Sequence, residues 1–482
     1  MAERKVALGL RTPDGGLVRI HASDQLNQAA LAWGYIARHR VRWQRNGTAR
    51  ADFAARCVVQ LNELGVDQAA LESIASNRLV EVTVPYERED ENWAARVMPW
   101  EYVINAAAGT VSSVSPLVVR HLDRRHPPRR KQRNARGAVV LGAVDLLEGV
   151  YSFDTERNLL PRTLGMPTTH IDDPTPGRLK ADIAASSPDV IHVGGVDIHQ
   201  GREYFDLPGD AKLRDGMVLA DDRRGPVAVS SLDLAQLLTA GRERKPALVA
   251  LNLANSAART AALTVACGAE AAIGFQDTFD DLAAELFLGE LYRAWQASGG
   301  DVLVSFCVAW KALRDIPDPI SGSGLVLWSA RPLVTASMKV VARKVDAVRR
   351  QLESARSQVA SFRSVQEARR ALEVGIEPMR QLNYALLHNR QPMFDRLELR
   401  NLAENRRLEG VRVEVELFAG IERLPFVTTL ALDSAPVSLR EKTFVPLTST
   451  LIRSLRESVR ASLRVRVSMG SFEGLFEDSH RV

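Results

Sequence analysis

Two short polar stretches hold the residues whose types and spacing could do covalent chemistry. The first, VGGVDIHQG at 193–201, follows an apolar run that contains His192. In this stretch a pair of glycines permits a tight turn, and Asp197 and His199 come next. Because histidine is the side chain that most readily exchanges a proton near neutral pH, His192 and His199 are candidate general bases.

The second stretch, LNLANSA at 251–257, ends another apolar run and enters a predicted helix, so that Ala254, Asn255 and Ser256 occupy the junction. A nucleophile at such a junction would benefit from the helix N-terminal amides, which lower a thiol pKa and stabilise an oxyanion. A histidine at the end of a neighbouring strand could act as its base. The two stretches therefore provide places for both members of a Cys–His dyad.

Each candidate also has a plainer interpretation. His192 ends an apolar run, as a core histidine would, and His199 is equally well read as a surface residue. Asp197 could orient a histidine or recognise a basic side chain, but aspartates in loops commonly cap helices. Asn255 is an ordinary residue for a helix start, as is Ser256. The residues alone leave these alternatives open.

The elements that would position these stretches alternate between strand and helix over residues 137–330. Continuous apolar strands separated by helices predict a mainly parallel α/β sheet covered on both faces, with chemistry beyond the carboxyl ends of its central strands. Before this region, a Pro-Asp-Gly-Gly turn at 13–16 predicts an N-terminal β-hairpin, and helical spacing predicts a helix over 51–65. The predicted elements are strands at 138–143, 189–193, 247–253 and 271–275, with helices at 179–185, 231–238, 257–266, 282–295 and 302–313.

The C-terminal third changes character. Apolar residues in steps of three and four over 338–372 predict a helical hairpin whose second arm is 378–390. After residue 410 the period becomes two, which predicts a small β-containing domain with a helix at 447–461. The predicted domains are an N-terminal hairpin and helix extension (1–50), an α/β domain (51–330), a helical hairpin or coiled-coil segment (331–405) and a β-containing C-terminal domain (406–482) that ends as a truncated domain would.

Composition excludes several classes of protein. Three cysteines that lie far apart in 482 residues exclude a disulfide scaffold and a cysteine-rich zinc site, and they favour a cytoplasmic protein. No apolar run approaches the roughly 20 residues that a membrane span needs. We expect no metal and no cofactor, because no cluster has metal-ligand spacing and no Walker-type loop occurs. The basic run 120–136 predicts a solvated connector rather than a nucleic-acid site.

Six sequence blocks, in order, resemble the CHAT domains, which are caspase-like relatives of caspases and separase. The resemblance covers about residues 50–330. The blocks are MPWEYV (98–103), VVRHL (118–122), DVIHVGG (189–195), GMVLAD (216–221), LVALNLANSA (248–257) and IGFQ (273–276). The resemblance implies a caspase-like fold and cysteine endopeptidase activity on a protein or peptide substrate. It also implies a regulatory partner protein and a role in bacterial regulation or defence.

The same resemblance places the nucleophilic cysteine of the family at Ala254, which has no nucleophilic atom. The Gly-His-Gly of the family falls on Gly195-Val196-Asp197, so His199 and His192 become the nearby substitutes. In the site that the resemblance implies, Gly195, Asp197 and Asn255 contribute substrate or oxyanion contacts.

Three explanations remain open for these departures. Ala254 is an engineered replacement of cysteine in an active protease, or the chain is a natural pseudoprotease that acts as a protein-binding adaptor, or the likeness is one of fold only.

Overall fold

The structure, a computed structural model, describes most of the chain. The described residues are 8–20, 24–38, 47–86, 93–112, 115–123, 136–147, 153–205, 207, 215–241, 244–276, 281–314, 324–334, 338–358, 364–379, 382, 391–403, 407–419, 422–433, 435–443, 461–469 and 472–481. Contacts divide the chain into two compact units. The first consists of Met1–Leu146 with Glu156–Arg349, and the second of Leu147–Thr155 with Arg350–Val482.

The first unit is built around one large sheet. In chain order its described strands are β1 (Gly9–Arg11), β2 (Leu17–Arg19), β3 (Leu79–Pro85), β4 (Leu117–Asp123), β5 (Gly137–Leu141), β6 (Thr168–Asp172), β7 (Val190–Gly194), β8 (Gly216–Ala220), β9 (Pro226–Ser230), β10 (Leu248–Asn252), β11 (Ala271–Phe275) and β12 (Leu325–Ser329). Among them, ten form a sheet in the order β2-β1-β3-β4-β12-β11-β10-β7-β5-β6, and β8 pairs with β9 in a separate hairpin. From β11 to β6 every neighbour is parallel, whereas β12 is antiparallel to β11. The sheet is therefore mainly parallel, as predicted.

Helices of the first unit flank this sheet, whereas the last described helix, at 365–370, belongs to the second unit. Those of the described residues are α1 (Asp24–Arg38), α2 (Gly47–Glu63), α3 (Gln68–Asn77), α4 (Trp93–Val97), α5 (Trp100–Ala108), α6 (Val144–Leu147), α7 (Asp154–Leu164), α8 (Pro176–Ser186), α9 (Ile198–Tyr204), α10 (Ser231–Leu238), a π-helical turn (Ala257–Ala261) that leads into α11 (Ala262–Ala266), α12 (Asp281–Ala297), α13 (Val302–Arg314), α14 (Met338–Gln358) and α15 (Val365–Arg370). None of them is both long enough and apolar enough to cross a bilayer.

The central strands are buried on both faces. The register across β4, β12, β11, β10 and β7 aligns Arg120 with Ile191, the residue before His192. Because side chains alternate along a strand, Arg120 and His192 point to opposite faces of the sheet. Contacts of Arg120 with α5, and of His192 with α7 and α12, show that each face is covered by helices.

The predicted alternation over 137–330 agrees with these elements. The helix at 231–238 and the strand at 271–275 have the predicted bounds, and the other predicted strands and helices differ by a few residues at their ends. The strands β6 and β12 and the helices α7 and α9 were not predicted. A difference appears at 257–266, where the predicted single helix begins with a π-helical turn.

The N-terminal hairpin is part of the large sheet, because β1 pairs with β3 as well as with β2. One prediction at this end of the sheet is wrong. The basic run predicted as a solvated connector begins inside β4, where Arg120 and His121 are buried. Arg120 is buried because an acidic residue on α5 neutralises it, which a count of local charges does not reveal. Residues 124–135 of the run lie outside the described residues.

The second unit contains two antiparallel sheets. Its strands are β13 (Leu372–Pro378), β14 (Phe394–Asn401), β15 (Leu408–Ala419), β16 (Glu422–Leu432), β17 (Val437–Ser438), β18 (Ala461–Met469) and β19 (Phe472–Arg481). In the described residues they form the sheets β13-β14-β17 and β16-β15-β18-β19. The alternating residues Val411, Val413 and Val415 are buried, as the period of two predicts, with apolar residues of β18 in the same core.

Within 331–405 the predicted helical hairpin is only partly testable. Its first arm corresponds to α14. Of the second arm, 378–390, the structure describes 378, 379 and 382. The strands β13 and β14, which lie in the same segment, were not predicted. The helix predicted at 447–461 lies outside the described residues except for Ala461, which begins β18.

Candidate functional site

The two chemically interesting stretches meet at one edge of the sheet. Strands β7 and β10 are parallel neighbours, with Gly194 aligned to Asn252 at their carboxyl ends. The residues that follow both strands therefore emerge side by side. In parallel sheets this edge is where ligands bind and chemistry occurs. The sequence predicted the two stretches, and the strand pairing brings them together.

Gly195 makes the turn after β7. Its φ of 148° lies in a region that side chains rarely adopt, and a Cβ here would lie 2.8 Å from Met217 Cε and 3.0 Å from the Gly142 carbonyl oxygen. The next residue, Val196, is the one that the resemblance to CHAT domains aligns with a histidine. Its side chain is buried, and its carbonyl accepts a hydrogen bond from the Val218 amide at 3.1 Å. This backbone position therefore holds an apolar contact and no base.

Asp197 and Asn255 connect the two strand ends. Asn255 Nδ2 donates to Asp197 Oδ2 at 2.8 Å, and Asp197 Oδ1 accepts from the Gln200 amide at 2.7 Å as the N-cap of α9. Asn255 has a φ of 54°, which asparagine tolerates better than most residues. Burial raises the pKa of the Asp197 carboxyl, and its hydrogen bonds from Gln200 and Asn255 oppose that rise.

His199 lies on the first turn of α9, with 38% of its side chain exposed. Its Nε2 is 3.2 Å from Asp215 Oδ1. A carboxylate in this position can orient an imidazole and stabilise its protonated form. His199 also lies close enough to Asp197 for its charge to lower the pKa of that carboxyl. The accessible histidine therefore lies next to the bridge between β7 and β10.

His192 occupies the opposite environment, fully buried within β7. Its Nδ1 lies 2.7 Å from Tyr292 Oη, and its Nε2 contacts Glu156 Oε2. Glu156 Oε1 in turn accepts from Asn252 Nδ2 at 2.6 Å. Burial raises the pKa of the Tyr292 hydroxyl well above its ordinary value, and the Glu156 charge adds to this. Both ring nitrogens of His192 have partners, which is what its interpretation as a core histidine requires.

Glu156 was not among the residues that the sequence nominated, and neither was Asn252. Glu156 lies 36 residues before His192 and Tyr292 lies 100 residues after it, so no local spacing connects them. A buried histidine inside an apolar strand was the available signal, because buried polar groups need partners.

Residue 254 is a half-buried alanine one residue before the left-handed Asn255. The nearby Ser256 hydroxyl is buried, donates to the Leu253 carbonyl at 2.7 Å and accepts from the Phe275 amide at 3.0 Å. Neither Asn255 nor Ser256 caps the following helical turn with its side chain, which corrects their interpretation as ordinary caps. Ser256 is held by hydrogen bonds within the fold, so its hydroxyl is not available as a nucleophile.

None of the three cysteines, all of them described, forms a disulfide. Burial raises the pKa of the Cys57 thiol strongly and that of the Cys307 thiol to about 12. Such thiols resist ionisation and are poor nucleophiles. Across the described residues no group of three or more His, Cys, Asp and Glu side chains could hold a metal ion.

The basic run is connected to the opposite edge of the sheet. Strand β4 is parallel to β12, and β12 is antiparallel to β11, so β4 runs opposite to β5, β7 and β10. Asp123 at the end of β4 and Arg136 before β5 therefore both lie at the edge away from residue 254. The segment between them begins and ends far from the candidate site.

No family model matches the sequence, and no curated protein matches it. Among solved structures, the complex of the pro- and mature domains of RgpB from Porphyromonas gingivalis is similar at 9% identity and a TM-score of 0.34, over 86% of this chain and 90% of that chain. The Arg-specific cysteine proteinase gingipain R (RgpB) is similar at 9% identity and a TM-score of 0.28, over 73% of this chain and 69% of that chain. Both TM-scores are low, and the fold given above rests on strand order and register.

Proposed function

We propose that the first unit is a caspase-like domain of the CHAT type, and that it is a cysteine endopeptidase silenced by alanine at position 254. The observation that carries the proposal is the hydrogen bond between Asp197 and Asn255, which fixes residue 254 at the strand edge where the His199–Asp215 pair lies. A base with its orienting carboxylate is thus present at the edge where the nucleophile is missing. The order of the six sequence blocks supports the same assignment.

With a thiol at 254, the chemistry would proceed by acyl transfer. His199 accepts the thiol proton, and Asp215 stabilises the resulting imidazolium. The thiolate adds to the scissile carbonyl, and backbone amides near 195 and 254 stabilise the oxyanion. Collapse breaks the C–N bond as His199 returns the proton to the leaving amine. Water, deprotonated by His199, then hydrolyses the thioester and regenerates the thiol.

His192 has a different role in this proposal. Because its ring nitrogens contact Tyr292 and Glu156, it supports the strand end from inside the sheet and leaves proton transfer to His199. The further expectations belong to the same proposal: a protein or peptide substrate, a regulatory partner, and a cytoplasmic role in bacterial regulation or defence.

A second candidate function is a non-catalytic adaptor that binds proteins at the same edge. Val196 favours it, because the position of the family histidine holds a buried apolar side chain. In that case neither a thiol at 254 nor His199 is needed, and partner binding survives His199→Ala.

The deciding experiment installs the missing nucleophile. Ala254→Cys is assayed against a mixed peptide library, alone and combined with His199→Ala or with the control His170→Ala, whose histidine is exposed on β6. We expect cleavage by Ala254→Cys, a loss of about 100-fold or more with His199→Ala, and no loss with His170→Ala. Absence of cleavage, with the introduced thiol alkylated no faster than free cysteine in solution, would reject the protease and favour the adaptor.

A further inference from the structure

The block MPWEYV has no part in the chemistry described above, yet it contains Glu101, a carboxylate buried in the first unit. Glu101 is paired with Arg120, whose Nε donates to Oε1 at 2.7 Å and whose Nη2 donates to Oε2 at 2.5 Å. Such a pair is expensive to bury, because both charges lose their hydration. A contribution to stability therefore does not by itself explain why Glu101 and Arg120 are buried together.

The partners of Arg120 fix its orientation almost completely. Its Nη1 donates to the Arg96 carbonyl at 2.6 Å, and its Nη2 donates to the Met98 carbonyl at 3.0 Å. Its guanidinium carbon lies 5.1 Å from the ring centroid of Trp328, within the range of a cation–π contact. The segment before Glu101 and the ring of Trp328 thus hold one planar group between them.

Trp328 transmits this constraint to the turn after β10. Its Nε1 donates to the Ala257 carbonyl at 2.8 Å, and both groups are buried. The contact is close, because a Cβ at Gly274 on β11 would lie 3.0 Å from the Ala257 nitrogen and 2.7 Å from Ser256 Oγ. A glycine at 274 permits the turn to lie directly against β11.

A second connection runs from the same carboxylate to the same edge. Gln276, the residue after β11, donates from Nε2 to Glu101 Oε2 at 2.5 Å. Because β11 is parallel to β10, Gln276 lies at the carboxyl edge together with residue 254. Glu101 therefore touches the edge through Gln276 and reaches the turn through Arg120 and Trp328.

We propose that Glu101, Arg120 and Trp328 are positioning residues that hold the turn 253–257 in place. They touch no reacting atom. Together with the Asn255–Asp197 bond, they hold the turn from two sides, so that residue 254 keeps a fixed position at the carboxyl edge. The consequence for catalysis rests on the proposed function, whereas the positioning of the turn does not.

The test measures the turn itself in the chain as it exists, with alanine at 254. Amide hydrogen exchange over 253–261 is compared between Trp328→Phe, which removes the Nε1–H donor and keeps a ring beneath Arg120, and Trp310→Phe, a control at a buried tryptophan on α13. We expect exchange at 253–261 to accelerate at least about tenfold in Trp328→Phe and to stay unchanged in Trp310→Phe. Unchanged exchange in both variants overturns the proposal.

If Trp328→Phe does not fold, Gln276→Ala provides the comparison, because it removes one hydrogen bond from a half-buried side chain. We then expect about threefold faster exchange over 253–261, and equality with the unsubstituted chain overturns the proposal. In the Ala254→Cys background, Trp328→Phe lowers kcat and leaves KM unchanged. Failure of Ala254→Cys to cleave any peptide would reject the protease without affecting the exchange result, so the two proposals fail separately.

Discussion

Polar side chains in the interior of the ten-stranded sheet differ in burial from His199 at its carboxyl edge. In the interior, His192 and Arg120 are buried, and each is held by partners from helices on its own face of the sheet. At the edge, His199 is partly exposed and bonded to Asp215. Groups in the interior are paired because leaving them unpaired would cost several kcal/mol. His199 at the edge keeps part of its hydration, so it remains available for proton transfer.

This difference teaches that two histidines close together in sequence can lie in opposite environments. His192 and His199 are seven residues apart, yet the buried histidine is occupied at both ring nitrogens while the accessible one lies beside the bridge between strands. Substitutions should therefore cost folding energy in the interior and little at the edge. Four measurements test this difference in the stability cost of substitutions, beginning with the largest expected effect.

Removing one charge of the interior ion pair should produce the largest loss. Arg120→Met leaves Glu101 buried without its counter-charge, so we expect the free energy of unfolding to fall by about 3–5 kcal/mol. Urea unfolding measures it. The matched control Arg178→Met breaks an exposed pair with Asp182 and should change stability by less than about 0.5 kcal/mol. Equal losses in the two variants would erase the contrast between interior and edge.

A buried histidine on β4 should make the protein sensitive to acid. Burial, with the nearby Arg11 charge, lowers the pKa of His121 to about 4 from 6.5. Between these pH values His121 is protonated in the unfolded chain and neutral in the folded chain. The free energy of unfolding therefore falls as pH drops from about 6.5 to about 4. A shift of this size corresponds to about 3 kcal/mol.

Urea unfolding at pH 7, 5.5 and 4 tests this assignment, with the pH values chosen to span the transition at about 6.5 to 4. His121→Leu should lose that part of the pH dependence, whereas the control His170→Leu, at an exposed histidine, should retain it. A pH dependence that persists in His121→Leu would assign the acid sensitivity elsewhere.

The bridge at the edge should be of intermediate importance. Asp197→Ala removes the N-cap of α9 and the acceptor for Asn255, so we expect a loss of about 1–2 kcal/mol in thermal or urea unfolding. Asp197→Asn keeps an oxygen for the cap but places a donor nitrogen against the donor Asn255 Nδ2, so the bond is kept only if the Asn255 amide flips, and we expect a loss smaller than that of alanine. If asparagine costs as much as alanine, the cap oxygen contributes little and the bond to Asn255 or the negative charge carries the stability.

His199→Ala should have the smallest effect on stability. The side chain is partly exposed and its pair with Asp215 remains solvated, so we expect a change within about 0.5 kcal/mol by urea unfolding. The same substitution is expected to abolish cleavage in the Ala254→Cys background. A stability loss above about 1 kcal/mol would place His199 with the structural histidines and remove the distinction from His192.

Several elements could be predicted because their signals are local. The bounds of the helix at 231–238 follow from its helical spacing, and Ser230 caps the helix, with its Oγ accepting from the Asp233 amide. The alternation after residue 410 predicted the buried valines of β15, because the side chains of a strand alternate between its two faces. The strands β13 and β14 were not predicted, because the earlier part of the same segment has strong helical spacing.

In the candidate site, too, local signals could be predicted and long-range contacts could not. The two polar stretches, with Asp197, His199 and Asn255, could be found because the ends of apolar strands are visible in sequence. The partner of His199 could not, since Asp215 lies 16 residues away beyond α9. The burial of Arg120 could not be predicted either. A run of basic residues indicates a solvated segment, and its acidic partner Glu101 lies 19 residues earlier in the chain.

By itself the sequence determined many of the strands and helices of residues 137–330 and where polar residues interrupt them, because periodicity and capping depend on neighbours within a few residues. It also determined that residue 254 has no nucleophilic atom. Only the tertiary structure decided that β7 lies beside β10, that His192 is occupied by Glu156 and Tyr292, and that His199 faces the edge. Those outcomes depend on contacts between residues tens of positions apart, and the free energy of burying and pairing polar groups selects them.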